Sequence, residues 1–406
     1  MRILLSTIGS RGDVQPLLAL ALELRALGHD ARFCVPPDFA PWLGGLGFHV
    51  TPIGPELRPL TAARSVTPVS PPTPEQRRRG AAATVAAQFA TVAPAARGCD
   101  HIVGATALQV AARSIAEALG IGYTFVAYCP VVLPSRHHAP PPLPLPGLPP
   151  AAPDADIAAL WAANATSVAE VFGEPLNVHR ATLGLPPVTD VRGHIFTGAP
   201  WLAADATLAP WPGGADTTVV QDGAWIVPDD RPLPPEVSHF LDAGSPPVYF
   251  GLGSMRVPGG MLEAMLGAAR AVGRRALFSR GWGDLAPVDG ARDCLVIDDV
   301  NQQALFPHVA VVVHHGGAGT TTAAAMCGAP QVIIPQGYDQ HYWAQRVQHL
   351  GIGVAHAPWT ATADSLTRAL GRALGPGVTG AARRVGSRVR RDGARAAAER
   401  LTGGRS

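Results

Sequence analysis

The sequence predicts an α/β chain built as two doubly wound units in tandem, and three observations predict it. Within the first 35 residues a short apolar run, a glycine-rich loop, a helical stretch and a second apolar run follow one another. The same succession restarts after Pro246-Pro247. Between the two lies a stretch rich in proline and tryptophan, residues 200–236, that reads as the tail of one unit and a linker. The length of 406 residues suits this division, at ~100–200 residues per domain.

The elements follow in order. Residues 2–7 form an apolar strand, Gly9-Ser10-Arg11-Gly12 a flexible loop, and residues 16–27 a helix that Gly28-His29-Asp30 ends before a strand at 31–35. That order opens a doubly wound domain. Residues 134–153, with Pro140-Pro141-Pro142 inside, cannot be helix or central strand. They read as an extended surface loop or, more sharply, as a mobile rim over an acceptor pocket. The second unit begins with a strand at 248–254 running into a glycine turn, a helix at 260–272 and a strand at 275–279. Residues 381–401 look helical with a basic face of Arg383, Arg384, Arg388, Arg390, Arg391 and Arg395, read as solvated.

Composition excludes more than it assigns. Hydrophobic residues make up 47% and charged residues 15%, too apolar for a disordered chain. All 32 positive side chains are arginine, and the net charge of +2 argues against a dedicated nucleic-acid binder. Cys34, Cys99, Cys129, Cys294 and Cys327 are scattered without CxxC spacing, which suits reduced core thiols rather than disulfides or zinc. The first apolar run is too short for a signal peptide and no run of ~18 apolar residues appears, so a cytoplasmic protein is expected.

The strongest candidate site is the β-branched run before His314-His315-Gly316-Gly317-Ala318-Gly319-Thr320. A buried strand empties there into glycines that open a helix. Backbone N–H groups at such a helix start make an anion site. Gly316, Gly317 and Gly319 let phosphate oxygens approach the main chain, His314 or His315 supplies a donor, and Thr320 a hydroxyl. The plain alternative is a tight turn that needs glycine for positive φ. No Gly-Lys-Ser/Thr follows, so the loop is not a Walker A motif, and no GxGxxG follows the first strand. Downstream, a second buried strand ends at Tyr338-Asp339-Gln340, where the adjacent carboxylate and amide suit the hydroxyls of a sugar or, more plainly, a helix N-cap.

These two segments, together with Gly9-Ser10-Arg11-Gly12-Asp13-Val14-Gln15-Pro16, Thr197-Gly198-Ala199-Pro200-Trp201 and Ser279-Arg280-Gly281-Trp282, resemble the nucleotide-sugar glycosyltransferases of the GT-B fold. Actinobacterial antibiotic glycosyltransferases of the vancomycin-aglycone type are the nearest resemblance, with sterol and lipid glucosyltransferases as cousins. It covers nearly the whole chain and implies two Rossmann-like domains facing a cleft. Residues 1–212 would then bind acceptor and 213–380 the nucleotide sugar, with a terminal helix in 381–406 crossing back to the first domain.

The resemblance also implies roles. Val300 would meet the nucleotide base, and Gln302 would lie near the ribose. Ser10 and Ser254 would help hold the diphosphate, with Arg11, Gly12, Arg280 and Ala318 also on the donor. His314 falls at the phosphate-contacting histidine, with His315 the neighbouring candidate. Asp339 and Gln340 match the pair on the donor hexose. Many relatives carry Glu eight residues after the histidine for the ribose hydroxyls; here that position is Thr322. Asp13 is the candidate catalytic base, three residues before Pro16, with an N-cap as its plain alternative. The resemblance implies single-displacement inverting transfer of a hexose or deoxyhexose from a UDP- or TDP-sugar co-substrate to a small hydrophobic acceptor, with no metal or further cofactor. Asp154-Ala155-Asp156 is read as a chance DxD. A sterol or lipid glucosyltransferase and a non-catalytic sugar-nucleotide-binding partner are the alternatives. Phe89, Tyr123, Phe125, Tyr128 and Trp161 would line an apolar acceptor pocket or belong to the core.

Overall fold

A computed structural model describes residues 1–59, 73–106, 108–141, 152, 154–213, 218–254, 260–282, 291–358 and 361–403. Two six-stranded parallel sheets organise the chain. The first contains β1 (Arg2–Ser6), β2 (Asp30–Val35), β3 (His49–Pro52), β4 (His101–Ala105), β5 (Gly122–Ala127) and β6 (Trp201–Leu202) in the order β3-β2-β1-β4-β5-β6. The second contains β7 (Val248–Gly251), β8 (Ala276–Ser279), β9 (Cys294–Ile297), β10 (Val311–His314), β11 (Gln331–Ile333) and β12 (Gly353–Ala355) in the order β12-β11-β10-β7-β8-β9.

Read from the strand that opens each sheet, the two orders are the same. Each sheet has one place where chain direction across it reverses, between β1 and β4 and between β7 and β10. Loops at the carboxyl ends of strands flanking such a point form a crevice. Their apolar runs follow from being covered on both faces: Ile3, Leu5, Val311 and Val313 are fully buried.

The helices used below are, in chain order, α1 (Arg11–Ala26), α2 (Pro74–Ala95), α3 (Ala112–Leu119), α4 (Ile157–Thr182), α5 (Met261–Ala271), α6 (Ala318–Met326), α7 (Gln340–His349), α8 (Ala363–Ala373), α9 (Pro376–Gly386) and α10 (Gly393–Leu401). Two expectations about them are corrected. Helix α1 starts at Arg11, five residues before the expected start, because Ser10 is its N-cap in extended conformation. Pro16, the sixth helical residue, lacks the N–H that would otherwise bond the Gly12 carbonyl. The basic terminal stretch is two helices, α9 and α10, since the chain turns at residues 387–392.

Helix α10 returns to the first sheet and lays Ala394, Ala397 and Ala398 in the same core as Leu17, Leu20 and Leu24 of α1. Gly393 makes the approach possible: a Cβ there would stand 2.5 Å from the Gly223 carbonyl carbon and 2.6 Å from the Ala224 oxygen. Arg400 closes the seam on both carboxylate oxygens of Asp222, at 2.7 and 3.0 Å. A second core runs across both units, where Leu208 and Ala209 meet Met326, Trp343 and Ala344. Arg346 of α7 donates to the Leu208 carbonyl at 2.8 Å.

The proline-rich rim is described only at residues 134–141 and 152, where it is irregular; the rest of that expectation lies outside the described residues. Asp156 is the N-cap of α4, accepting the Ala159 N–H at 3.0 Å, which gives the DxD a structural role. All five cysteines are free thiols, and Cys34, Cys99 and Cys129 are buried. Among the described residues, no helix is long and apolar enough to cross a membrane.

Candidate active site

The loops that matter leave the carboxyl ends of β1, β7, β8, β9, β10 and β11. From the first sheet, α1 begins at the end of β1 and puts Asp13 in its first turn. Asp13 is therefore not the N-cap; that role falls to Ser10, whose carbonyl accepts the Asp13 and Val14 N–H groups at 2.9 and 3.1 Å. Ser10 Oγ donates to Asp13 Oδ2 at 3.3 Å, and the Tyr128 hydroxyl donates to the Asp13 carbonyl at 2.9 Å. The carboxylate folds back over Gly9, where a Cβ would stand 2.0 Å from Oδ2. The side chain is half-buried, and that burial pushes its pKa up to about 6 against the pull of Ser10.

Asp339 stands on the opposing wall. One of its oxygens takes the Trp343 indole N–H at 3.3 Å. Burial, and secondly the charge of Asp13, push it up to about 7. Asp339 therefore feels the charge of Asp13. Asp13 ionises first and makes the second charge harder to place. Gln340 opens α7, and its amide oxygen accepts the Gln336 N–H at 2.7 Å, bracing the loop that presents Asp339.

The paired histidines divide their work. His314 is fully buried; its Nε2 donates to Gln331 Oε1 at 2.9 Å and its Nδ1 accepts the Gly316 N–H at 3.1 Å. With both nitrogens engaged inside the sheet it has nothing left to offer a phosphate. This corrects the assignment of the phosphate contact to His314. Burial holds it neutral, its pKa down to about 3.

His315 is half-buried, and its Nδ1 has no hydrogen-bond partner of good geometry. Its ring lies between two glycines: a Cβ on Gly253 would stand 3.0 Å from its Cε1, and one on Gly317 2.7 Å from its Nε2. Side chains at either position would displace it. Burial lowers its pKa to about 4, with the Gly251 carbonyl opposing, so at neutral pH it is a neutral donor. Gly317 is the N-cap of α6, and its side-chain-free start leaves the first N–H groups of Ala318, Gly319 and Thr320 outside the helix's own bonding. Thr320 is half-buried there, whereas Thr322 turns inward and donates to the Ala318 carbonyl at 2.8 Å.

The remaining donor-side candidates lie after β7, β8 and β9 and at the start of α1. Ser254 follows Gly253, whose carbonyl accepts the Trp282 N–H at 3.0 Å, so the β7 and β8 loops are tied together. Arg280 pairs with Asp298 at 2.9 Å. Val300 and Gln302 are half-buried. Between them Asn301 is 4% exposed and donates to the Asp229 and Arg231 carbonyls at 2.7 and 2.8 Å, which fixes this segment on the linker. Arg11 crosses the cleft to Asp299 at 3.0 Å and stacks on Trp42 at 5.2 Å from the ring centre. Gly12 is exposed beside it.

The aromatic candidates for an acceptor pocket are mostly core. Phe125 is fully buried, Phe89 packs on His179, the Tyr123 hydroxyl donates to the Ile195 carbonyl, and the Trp161 indole donates to the His138 carbonyl. Tyr128, read as pocket or core, instead holds the Asp13 backbone, and Trp343 and Gln331, which hold Asp339 and His314, carry no signal in the sequence. Among the described residues no group of three His, Cys, Asp or Glu side chains could hold a metal ion.

Comparison with known proteins agrees with this geometry. The glycosyltransferase family 28 N-terminal domain matches residues 3–134, and the erythromycin biosynthesis protein CIII-like C-terminal domain matches residues 289–398. The chain is 49% identical to glycosyltransferase GtfE of Amycolatopsis orientalis, over 99% of this chain and 97% of that protein. It is 47% identical, over the same shares, to the vancomycin aglycone glucosyltransferase of that organism. It is 40% identical to its dTDP-epi-vancosaminyltransferase, over 93% of this chain and 90% of that one. Among solved structures, the calicheamicin glycosyltransferase CalG4 superimposes with a TM-score of 0.72 at 19% identity, covering 99% of this chain and 98% of that one. Glycosyltransferase VinC, solved in complex with DTDP, gives 0.64 at 20% identity, covering 96% and 95%. These two share the GT-B fold.

Proposed function

The chain belongs to the glycosyltransferase family that includes the vancomycin aglycone glucosyltransferase, and from that premise we propose that it is an inverting, metal-independent hexosyltransferase. Its donor is a UDP- or TDP-hexose or deoxyhexose, and its acceptor a hydroxyl of a hydrophobic natural-product aglycone. One observation supports this most strongly. Arg11, two residues before Asp13 on the first unit, pairs with Asp299 of the second unit at 3.0 Å, and the charge of Asp13 helps to raise Asp339. The site is thus built by both units, one providing a base and the other the sugar contact.

The acceptor hydroxyl gives its proton to the Asp13 carboxylate as its oxygen bonds to the anomeric carbon. The bond from that carbon to the diphosphate oxygen breaks, and its electron pair leaves with the nucleoside diphosphate. Attack from the face opposite the leaving group inverts the centre in one step. A pKa of about 6 makes Asp13 a stronger base than an ordinary aspartate, while it stays mostly ionised at neutral pH. The negative charge that builds on the leaving diphosphate meets the N–H groups at the start of α6 and a neutral His315 donor. Ser254 and Ser10 flank it, Asp339 and Gln340 hold the hexose, and Val300 and Gln302 receive the base and ribose.

The test is a donor screen, UDP-glucose against TDP-sugars, with a panel of glycopeptide, macrolide and sterol acceptors read by mass spectrometry. The expected result is a mono-glycosylated natural-product aglycone from wild type and loss of product in Asp13→Ala. Glycosylation of sterols alone, or equal activity of the two proteins, contradicts the reading.

A further inference from the structure

The loop between β11 and α7 contains more than the two residues that meet the hexose. Tyr338 lies in the left-handed region, at φ 53°. Bulky side chains rarely adopt that conformation, whereas glycine or asparagine would hold the same turn with little strain. Its hydroxyl makes no hydrogen bond with any described residue, and the side chain is half-buried. The loop and the first turn of α7 are short of partners elsewhere too. Gln336 is 6% exposed and His341 8% exposed, and the Oε1 of the first and Nε2 of the second are unbonded. Strain at one residue and two unmatched buried polar atoms in six positions mark a loop held for something the free protein lacks.

The surroundings say which side of the cleft Tyr338 serves. Ile333 and Trp343, on either side of the loop, share a buried core with Cys129, and the groups besides Asp339 that act on the Tyr338 phenol are Cys129 and Asp13. Both belong to the first unit, Asp13 at the end of β1 and Cys129 just past β5. Tyr338 thus comes from the sugar-binding wall and faces the wall that carries the base. Burial and these neighbours raise its pKa well above the usual phenol, so the hydroxyl stays a donor.

Resting on the hexosyltransferase reading, we propose that Tyr338 is an acceptor-positioning residue. Its hydroxyl donates to a polar group of the aglycone beside the attacking oxygen, and its ring walls the acceptor against the bound hexose. It takes no proton in the reaction; it fixes the angle at which the nucleophile meets the anomeric carbon.

The test uses two variants of the full chain. Tyr338→Phe keeps ring and backbone and removes only the hydroxyl. Tyr338→Asn keeps the left-handed turn and removes the ring. For each, acceptor KM and kcat are measured at saturating donor, binding of UDP and TDP by calorimetry, and donor hydrolysis without acceptor. Tyr338→Phe is expected to raise acceptor KM about tenfold, the worth of one well-made hydrogen bond. Tyr338→Asn raises it further. Nucleotide binding and donor hydrolysis stay within about twofold of wild type in both. An acceptor KM unchanged in Tyr338→Phe overturns the assignment, as does a parallel loss of nucleotide binding, which a merely structural role produces. The arms separate the two readings: a wild type that transfers no sugar overturns both, whereas transfer that is indifferent to Tyr338→Phe overturns only this one.

Discussion

Ser10→Ala removes one hydrogen bond to the proposed base and nothing from its charge environment. In the wild type Asp13 sits at about 6, raised by burial and held back by the Ser10 backbone and hydroxyl. The base works ionised, so kcat/KM follows the ionised fraction: about nine-tenths at pH 7, half at pH 6 and one-tenth at pH 5. An ordinary aspartate would keep full activity to about pH 5. The hydroxyl contact of 3.3 Å is long for an O–H···O bond. Its loss costs the carboxylate about 0.7 kcal/mol, less than the usual ~1.5–3 for a charged partner. That is about half a pH unit. The acid limb of Ser10→Ala therefore moves up to about 6.5, and relative activity at pH 6 falls about twofold beyond any change at pH 8. Any loss of donor contact by Ser10 lowers the whole profile and leaves its midpoint in place. The assay is initial-rate transfer at low acceptor from pH 5 to 9. A wild-type midpoint near 4, or a Ser10→Ala midpoint that stays or falls, refutes the reasoning.

The two histidines should separate cleanly. His315→Ala is expected to weaken UDP or TDP binding about tenfold or more, the worth of a hydrogen bond to an anion, with Tm little changed. His314→Leu leaves the Gly316 N–H and the Gln331 Oε1 without partners inside the sheet, and is expected to cost about 3 kcal/mol in denaturant unfolding. Gly393→Ala drives a Cβ into the backbone of Gly223 and Ala224; it should destabilise by about 1–3 kcal/mol and raise amide exchange in α10 and the facing turns of α1. Asp339→Asn is expected to raise donor KM while leaving the acid limb of Asp13 near 6, because Asp13 ionises first of the pair.

Fold and function differed in how far the sequence alone revealed them. Repetition of strand, glycine loop and helix made both units visible, because a strand buried on both faces must be apolar and the crevice loop must be small. Boundaries were less visible. Ser10 and the first turn of α1 look like a loop because Ser-Arg-Gly-Asp is a poor helical sequence, yet the cap and the underlying sheet start the helix there. At the site, the glycines and the Asp-Gln pair stand out, but spacing cannot tell His314 from His315. His314 closes β10 and His315 is the first residue past it, and only the pairing of β10 with β7 and β11 shows where the strand ends. Tyr338 gave no signal either, since a left-handed tyrosine is written in φ and not in composition.

The central claim is that Asp13 takes the acceptor proton in a cleft whose donor site is built without it. Asp13→Asn keeps size and removes the base, so the direct measurement is its transfer rate beside its nucleotide affinity. The account predicts that transfer falls by about 10²–10⁴-fold while UDP and TDP bind as they do to wild type. Transfer at near the wild-type rate with nucleotide binding intact would contradict it.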